Sequence, residues 1–383
     1  MKVCINLIVL FSLLIASDPI FGDRQDFGEI EYSPINEASG IAASYKNENV
    51  FWTHNDSGDQ NRIYAFNNEG LHLGVYTLQN CSARDFEDIA TGPGPDEGQH
   101  YLYVGNIGDN GSQYDTKYIY RLLEPDVESD QAPVNETLYN IDIIEFQYPD
   151  GNRDAETLML DPLTKDIIIV SKREEFVHIY NLPFPQNTTT GSILFPDLIH
   201  TMDFYPNDDH SNPMWIVAGD ISRDGAEILV KSYVHIFHFP RYENQTIGEA
   251  LTNTMTQVEY IEEVQGEAVA WHQDGFGYFT LSEETQNIPC HLYFYPRLIG
   301  CTDENADNYN PYALEDDGSC EYEYNLGDVN FDNEINILDV VLMVSFILGE
   351  PSDEYELSAS DINQDGLLNI LDIVALVNII LGN

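Results

Sequence analysis

The chain has 383 residues, enough for roughly two or three domains, and 66 acidic against 15 basic side chains give it a formal net charge of −51. That charge repels nucleic-acid backbones and anionic membrane surfaces and excludes both as partners; it attracts divalent cations, or serves solubility alone. A hydrophobic content of 43% with 24 tyrosines excludes a disordered chain.

Lys2 followed by the apolar run from Ile5 to Ala16 reads as a signal peptide over residues 1–22. The run is too short to span a bilayer, and no later run reaches about eighteen apolar residues, so a secreted, extracellular protein is expected. Cys4 leaves with that segment. Cys81, Cys290, Cys301 and Cys320 remain, and an even number in an exported chain points to disulfides. Cys301 and Cys320 flank one short segment and form the stronger pair. Cys81 with Cys290 requires the ends of the large domain to meet; two free thiols are the alternative.

Residues 25–298 carry short β-type runs separated by Gly, Asn, Asp and Pro clusters, with no long segment of helical period. An acidic residue opens a short apolar strand at Glu37, at Glu87 with Asp88, and at Glu156, Asp220 and Glu267. An aromatic strand follows each time: RIYAF, YIYRL, VHIYNL, VHIFHF and HLYFY. Five such units of roughly fifty-five residues predict a five-bladed β-propeller. Six blades stay open, because the stretch from Asn135 to Gly151 fits no unit. Phe27–Tyr32 is placed to complete the last blade and close the ring.

In a propeller the first strand of each blade lines the central channel. Glu37, Glu87, Asp88, Glu156, Asp220 and Glu267 are therefore candidate catalytic or calcium-holding residues; capping of backbone N–H groups at the blade turns is the competing role. His54–Asp59, Asn106–Asn110, Lys172 and Arg173 are polar enough for a site, and equally suit turns. No nucleophile elbow, zinc helix or phosphate loop is present. The motifs EASGIA, FEDIA, DAETLMLDP, QGEAVAW and TLSEE resemble secreted propellers distantly similar to phytase-like and lactonase-like calcium-dependent hydrolases. That resemblance implies cleavage of ester, phosphoester or glycosyl bonds; a binding or adhesion module without turnover is the alternative.

Residues 300–322 (GCTDENADNYNPYALEDDGSCEY) resemble short acidic spacer repeats of secreted bacterial proteins, with Asp307 where such repeats carry an internal cysteine. The disulfide and the turn residues suffice to order so short a piece; a calcium held by Asp303, Asp316 or Asp317 is the alternative.

Residues 323–383 hold the most specific pattern. After Arg297 the chain has 86 residues with 19 Asp or Glu and no basic side chain. The twelve-residue stretches 328–339 and 361–372 place oxygens at positions 1, 3, 5, 7, 9 and 12, the spacing that wraps one calcium ion. The first offers Asp328, Asn330, Asp332, the Glu334 carbonyl, Asn336 and Asp339. The second offers Asp361, Asn363, Asp365, the Leu367 carbonyl, Asn369 and Asp372. Asn333 and Gly366 take the sharp turn at position 6, and Ile335 and Leu368 point inward at position 8. Each loop runs into an amphipathic helix, with Ile337, Val340, Val341, Val344, Ile347 and Leu348 on one face and Ile370, Ile373, Val374, Val377, Ile380 and Leu381 repeating it. Gly349 and Gly382 stand at the C-caps.

This duplicated loop–helix resembles type I dockerin modules over about residues 325–383. The resemblance implies two calcium ions, a cohesin-like partner and, by family habit, a polysaccharide-degrading setting. It also implies recognition through loop positions 10 and 11, here Ile337–Leu338 and Ile370–Leu371, an apolar pair where small polar residues are common; a place in the core is the alternative.

Overall fold

The structure is a computed structural model. It describes residues 20–383 except 57, 206–214, 286–287, 304–305, 307, 321–325, 333, 350–356, 358, 364–365 and 382–383. Most of the expected signal peptide, and Asn333, Asp365 and Gly382, lie outside the described residues. The chain divides into two compact units, the first ending at Leu298 and the second beginning at Ile299.

The first unit is a five-bladed propeller of four-stranded antiparallel blades. Blade 1 is β2 (Ala38–Ala43), β3 (Val50–Asn55), β4 (Arg62–Asn67) and β5 (His72–Leu78). Blade 2 is β6 (Asp88–Pro93), β7 (His100–Asn106), β8 (Lys117–Leu123) and β10 (Asp142–Phe146). Blade 3 is β11 (Ala155–Leu160), β12 (Ile167–Ser171), β13 (Val177–Leu182) and β14 (Asp197–Met202). Blade 4 is β15 (Ile216–Ile221), β16 (Glu227–Ser232), β17 (Ile236–Pro240) and β18 (Thr256–Val258), with the short helix α1 (Ile247–Ala250) between its last two strands. Blade 5 is β19 (Ala268–Trp271), β20 (Gly277–Leu281), β21 (His291–Pro296) and, from the start of the described chain, β1 (Gln25–Glu29).

The pairing of β1 with β21, Asp26 opposite Tyr293 and Glu29 opposite His291, closes the ring. The sequence expectation for this segment holds, and closure spares the propeller a free seam between its first and last blades. The stretch that fitted no unit also resolves. β9 (Val134–Leu138) adds in parallel to the outside of β5, and β10 finishes blade 2. One stretch thus serves two blades, which is why it resembles neither, and the blade number is five.

The core lies in apolar layers between successive blades. Trp52, Tyr76, Phe86 and Leu102 fill the first, Tyr103, Ile119, Leu158 and Ile169 the second, and Val170, Ile179, Ile228 and Phe239 the third. Strands buried on both faces read as continuous hydrophobic runs, as in the fully buried strand Ile167–Ser171. The inner strands stay small where they meet. A Cβ on Gly40 would lie 2.9 Å from Ile89 N and 3.0 Å from Asp88 Cα in the next blade.

Cys301 and Cys320 form a disulfide, as expected. The second expected bridge is absent: Cys81 and Cys290 are free. Cys290 packs at the seam of blades 5 and 1, with its thiol 3.4 Å from the Ile35 carbonyl, whereas Cys81 follows the outer strand β5 and turns to Gln79. Closure is done by β1, so no covalent link across the seam is needed.

In the second unit, α2 (Ile337–Ile347) and α3 (Ile370–Leu381) each follow one of the twelve-residue loops. Val329, Val340, Met343 and Leu376 form the small core, with Phe346, Leu368, Ile373 and Val377 against it. The expected apolar stripe is therefore rotated. Val340, Ile373 and Val377 pack inward. Ile337, Val341, Val344, Ile347, Leu348, Ile370, Val374, Ile380 and Leu381 are exposed, as is Ile335 in the first loop. These helices are apolar almost all round, so periodicity alone did not select the buried side. Gly349 follows the α2 C-cap at φ +101, as a C-terminal glycine should.

Candidate functional site

The propeller and the paired loops each gather oxygen donors. In the propeller, the inner strands begin at one end of the channel, and each second strand returns to that same end. Every blade thus delivers residues there from two places, around the start of its first strand and just after its second. Blade 1 brings Glu37 and Asp56; blade 2, Asp85 and Glu87 with the turn holding Gly108 and Asp109. Blade 3 brings Asp154 and Glu156 with Lys172 and Arg173, blade 4 Trp215 and Tyr233, and blade 5 Glu267 and Glu283.

Seven of these carboxylates converge. Ligand oxygens of Asp56, Glu267 and Glu283, of Asp56, Asp85 and Glu87, and of Glu87, Asp154 and Glu156 lie within 4.8 Å of one another in each trio. The trios share Asp56 and Glu87, so they form one continuous arc. Glu156 is aimed into it by a bulge in β11 at that position, between Ala155 and Thr157. Gly108 leaves room for its neighbours: a Cβ there would sit 1.8 Å from Glu87 Oε1 and 2.5 Å from Asp85 Oδ2.

One ammonium enters this arc. Lys172 Nζ pairs with Glu156 Oε1, reaches Tyr233 Oη at 3.3 Å, and lies 5.2 Å from the centre of the Trp215 ring. The Tyr233 hydroxyl donates to Glu267 Oε1. Arg173 donates to Asp154 Oδ2 and Asn110 Oδ1, with its guanidinium 4.3 Å over Trp215. Burial, then the charges of the neighbouring acids, pushes the Glu87 and Glu156 carboxyls up, and raises Glu283 to about 8. The surrounding carboxylates hold Lys172 in its charged form against desolvation.

The fit to a divalent cation rests on this donor set. Glu156 is 3% exposed, and its Oε2 is buried without a hydrogen-bond partner. Glu87, in the same trio, is 2% exposed. Buried carboxylate oxygens that lack donors are costly unless a cation meets them. An all-carboxylate set suits a hard ion such as calcium.

Two candidates play a different part. Asp88 accepts from its neighbour Ile89 N and from Leu158 N of blade 3; Asp220 accepts from Ile221 N and from Trp271 N of blade 5. Both tie the inner strand of one blade to that of the next, accepting strand rather than turn N–H groups, and neither belongs to the arc. Glu37 is close enough to raise Glu283 but joins no trio. Asp85, Asp154, Tyr233 and Glu283 are not among the sequence candidates, and Asp56 enters only within the span His54–Asp59. Asp56 and Glu283 lay inside HNDSGD and TLSEE, motifs already noticed, but only blade pairing shows that the ends of second strands face the channel. His238 is structural, bonded to Glu227 at 2.9 Å.

In the paired loops the donors curl inward. Asp339 Oδ1 accepts from Val329 N and Asn330 N, and Oδ2 from Asn336 N; Asp372 repeats this with Asn363 N and Asn369 N. The position 9 amide donates to the position 7 carbonyl in both, Asn336 to Glu334 and Asn369 to Leu367. Asp332 N donates to Asp328 Oδ1, and Gly366 N, at φ +78, to Asp361 Oδ2. Asp328, Asp339 and Asp372 are buried in a unit that has no Lys or Arg, so the donor set fits a cation in each loop. In the spacer, Asp316 and Asp317 accept from their own turns, and with Asp303 they gather into no cluster among the described residues.

The comparisons agree with the second unit. Residues 326–381 match the family model of the dockerin type I domain. None of the curated proteins matches the chain. Among solved structures, the chain is similar to the PQQ-bound aldose sugar dehydrogenase of Streptomyces coelicolor at 10% identity and a TM-score of 0.39, over 73% of this chain and 99% of that one.

Proposed function

We propose, from the premise that residues 326–381 form a type I dockerin domain, that this is an extracellular protein tethered by that domain to a cohesin-like partner while its propeller acts as a calcium-dependent hydrolase. Dockerin domains bind calcium, and such a domain implies a cohesin partner. The finer reading gives each loop one ion, held by Asp328, Asn330, Asp332, the Glu334 carbonyl, Asn336 and Asp339, and by Asp361, Asn363, Asp365, the Leu367 carbonyl, Asn369 and Asp372. Ile337–Leu338 and Ile370–Leu371 form the docking face. Exposures of 61%, 58%, 63% and 60% support that assignment, since four large apolar side chains at matching helix starts are left for a partner to cover.

For the propeller the carrying observation is the arc of seven carboxylates with the buried, unpartnered Oε2 of Glu156. Glu87, Asp154 and Glu156, with Asp56 at the centre of the arc, are the residues to hold a cation. When bound, it would supply Lewis-acid polarisation of an ester, phosphoester or glycosyl oxygen. Lys172 then offers a fixed positive charge to an anionic or carbonyl oxygen, and Tyr233 keeps Glu267 oriented. A polysaccharide-degrading setting agrees with the dockerin.

One observation favours a second reading, a recognition module without turnover: Lys172 is already engaged by Glu156 and Tyr233, as in a preformed binding site.

The test takes the intact chain through a panel of glycans and phosphate esters with calcium or chelator. Turnover that chelator abolishes, and that Glu156→Gln and Glu267→Gln each reduce at least about a hundredfold, supports the hydrolase. A retained ligand with no product supports the module. On the docking side, affinity for a cohesin-like module should fall by about 2 kcal/mol or more in Leu338→Asp/Leu371→Asp; an unchanged affinity overturns the docking face.

A further inference from the structure

At the end of the blades away from the carboxylate arc, blades 3 and 4 leave a cavity of about 940 Å³ between them. It sits where Leu160 ends β11 and where Asp224 and Gly225 turn β15 into β16. The arc gathers at the opposite ends of these strands. Its size lies within the range of about 300–1,000 Å³ of small-molecule sites.

Its chemistry is distinct from that of the arc. The floor is aliphatic, with Ile168 and Ile247 buried and Ile199 beside them. The walls carry planar polar groups. Asn181 donates to Asp166 Oδ2 at 3.0 Å, which leaves its own Oδ1 buried with no partner. His200, on the neighbouring strand β14, also lines the cavity. At the rim the Tyr242 ring is 55% exposed, next to Glu243.

The charge selects the ligand. Among the described residues Arg241 is the cavity's only Arg or Lys, and its Nη1 and Nη2 bond both oxygens of Asp161, at 2.8 and 3.0 Å. That leaves Asp166, Asp224, Glu243 and Glu249 as the net charge, which disfavours any anion. The match is a neutral, hydroxyl-rich ligand with an apolar face. Hydroxyls both donate and accept, so they can serve carboxylates and the unpaired Asn181 oxygen, while ring C–H groups lie on an exposed tyrosine and an aliphatic floor.

We infer that this inter-blade cavity is a binding site for neutral pyranose oligosaccharides, separate from the carboxylate arc. The site gives the propeller a grip on a glycan chain whether or not the arc turns over substrate.

The test is calorimetric titration of the intact, calcium-loaded chain with the neutral hexaoses of β-1,4-glucan, β-1,4-mannan and β-1,4-xylan, and with an anionic hexagalacturonate. Binding of at least one neutral hexaose to the Glu156→Gln chain, weaker by about tenfold when Tyr242→Ala is added, is the expected result. Tyr242 is a surface residue, so its loss leaves the fold intact, and circular dichroism checks this. No neutral binding at millimolar ligand overturns the inference, as does tighter binding of the galacturonate. Binding that ignores Tyr242→Ala but vanishes in Glu156→Gln overturns it too and assigns the glycan to the arc. Failure of the arc as a hydrolase leaves all these outcomes readable.

Discussion

Single carboxylates in this protein have divided roles, and the groups that face each one decide which: backbone N–H donors for Asp88 and Asp220, other carboxylates for Glu87 and Glu156. Asp220 is partly buried, and desolvation of its carboxyl lifts it to about 7 against the two N–H groups from which it accepts. A carboxyl raised in the folded state binds more protons there than in the unfolded chain. Its stabilising share is therefore full at pH below about 4 and is lost as pH rises through about 7. The loss is on the order of a few kcal/mol. Thermal unfolding from pH 4 to 7 should show a shallower slope in Asp220→Asn than in the parent; an equal slope removes Asp220 as the source. Gly108 makes the complementary case. Its missing Cβ is the space the Glu87 and Asp85 oxygens occupy. Gly108→Ala should leave the blades folded yet lower the number of calcium ions held by the chain in equilibrium dialysis, whereas an unchanged stoichiometry counts against the arc as a cation site.

At the scale of elements, the inner strands and the loop–helix repeats obey different constraints. The inner strands approach so closely that a methyl group meets backbone. Gly40→Ala would drive its Cβ against Ile89 N and His54 Nε2, both 2.9 Å away, and should cost about 1–3 kcal/mol in urea denaturation. The loop–helix repeats are limited by charge. Asp339 and Asp372 start their helices by accepting from loop N–H groups. They are buried with no basic residue in the unit. Asp339→Ala and Asp372→Ala should each reduce the gain in helical circular dichroism on adding calcium, and the double variant should abolish it. A full gain in the double variant refutes the loop assignment.

For the whole molecule, the closing contact is β1 on β21. Removing residues up to Glu29 exposes the edge of β21 and takes Phe27 from its packing against Phe279 and Phe294. The truncated chain should unfold at least about 5 °C lower and aggregate on heating; an unchanged midpoint shows that closure adds little. Because the two units have separate cores, chelator should melt the helical unit first while the near-ultraviolet signal of the tyrosine-rich blades persists.

The sequence by itself determined what repeats locally. Two loops with oxygens at fixed spacing, five acid-led apolar strands with aromatic successors, and two cysteines flanking one short segment were all legible, because each feature lies within one stretch of chain. The blade count was settled only by the fold, since β9 and β10 lie in one stretch but pair with different blades. The carboxylate arc needed it too. Glu87 and Glu156 carried a strand-opening signal, whereas Asp56 and Glu283 reach the channel from the ends of second strands, a position visible only once the blades are arranged in a ring. The outward face of α2 and α3 was likewise a tertiary decision: both helices are apolar on nearly every side, so packing against Val329, Met343 and Leu376 chose which side to bury.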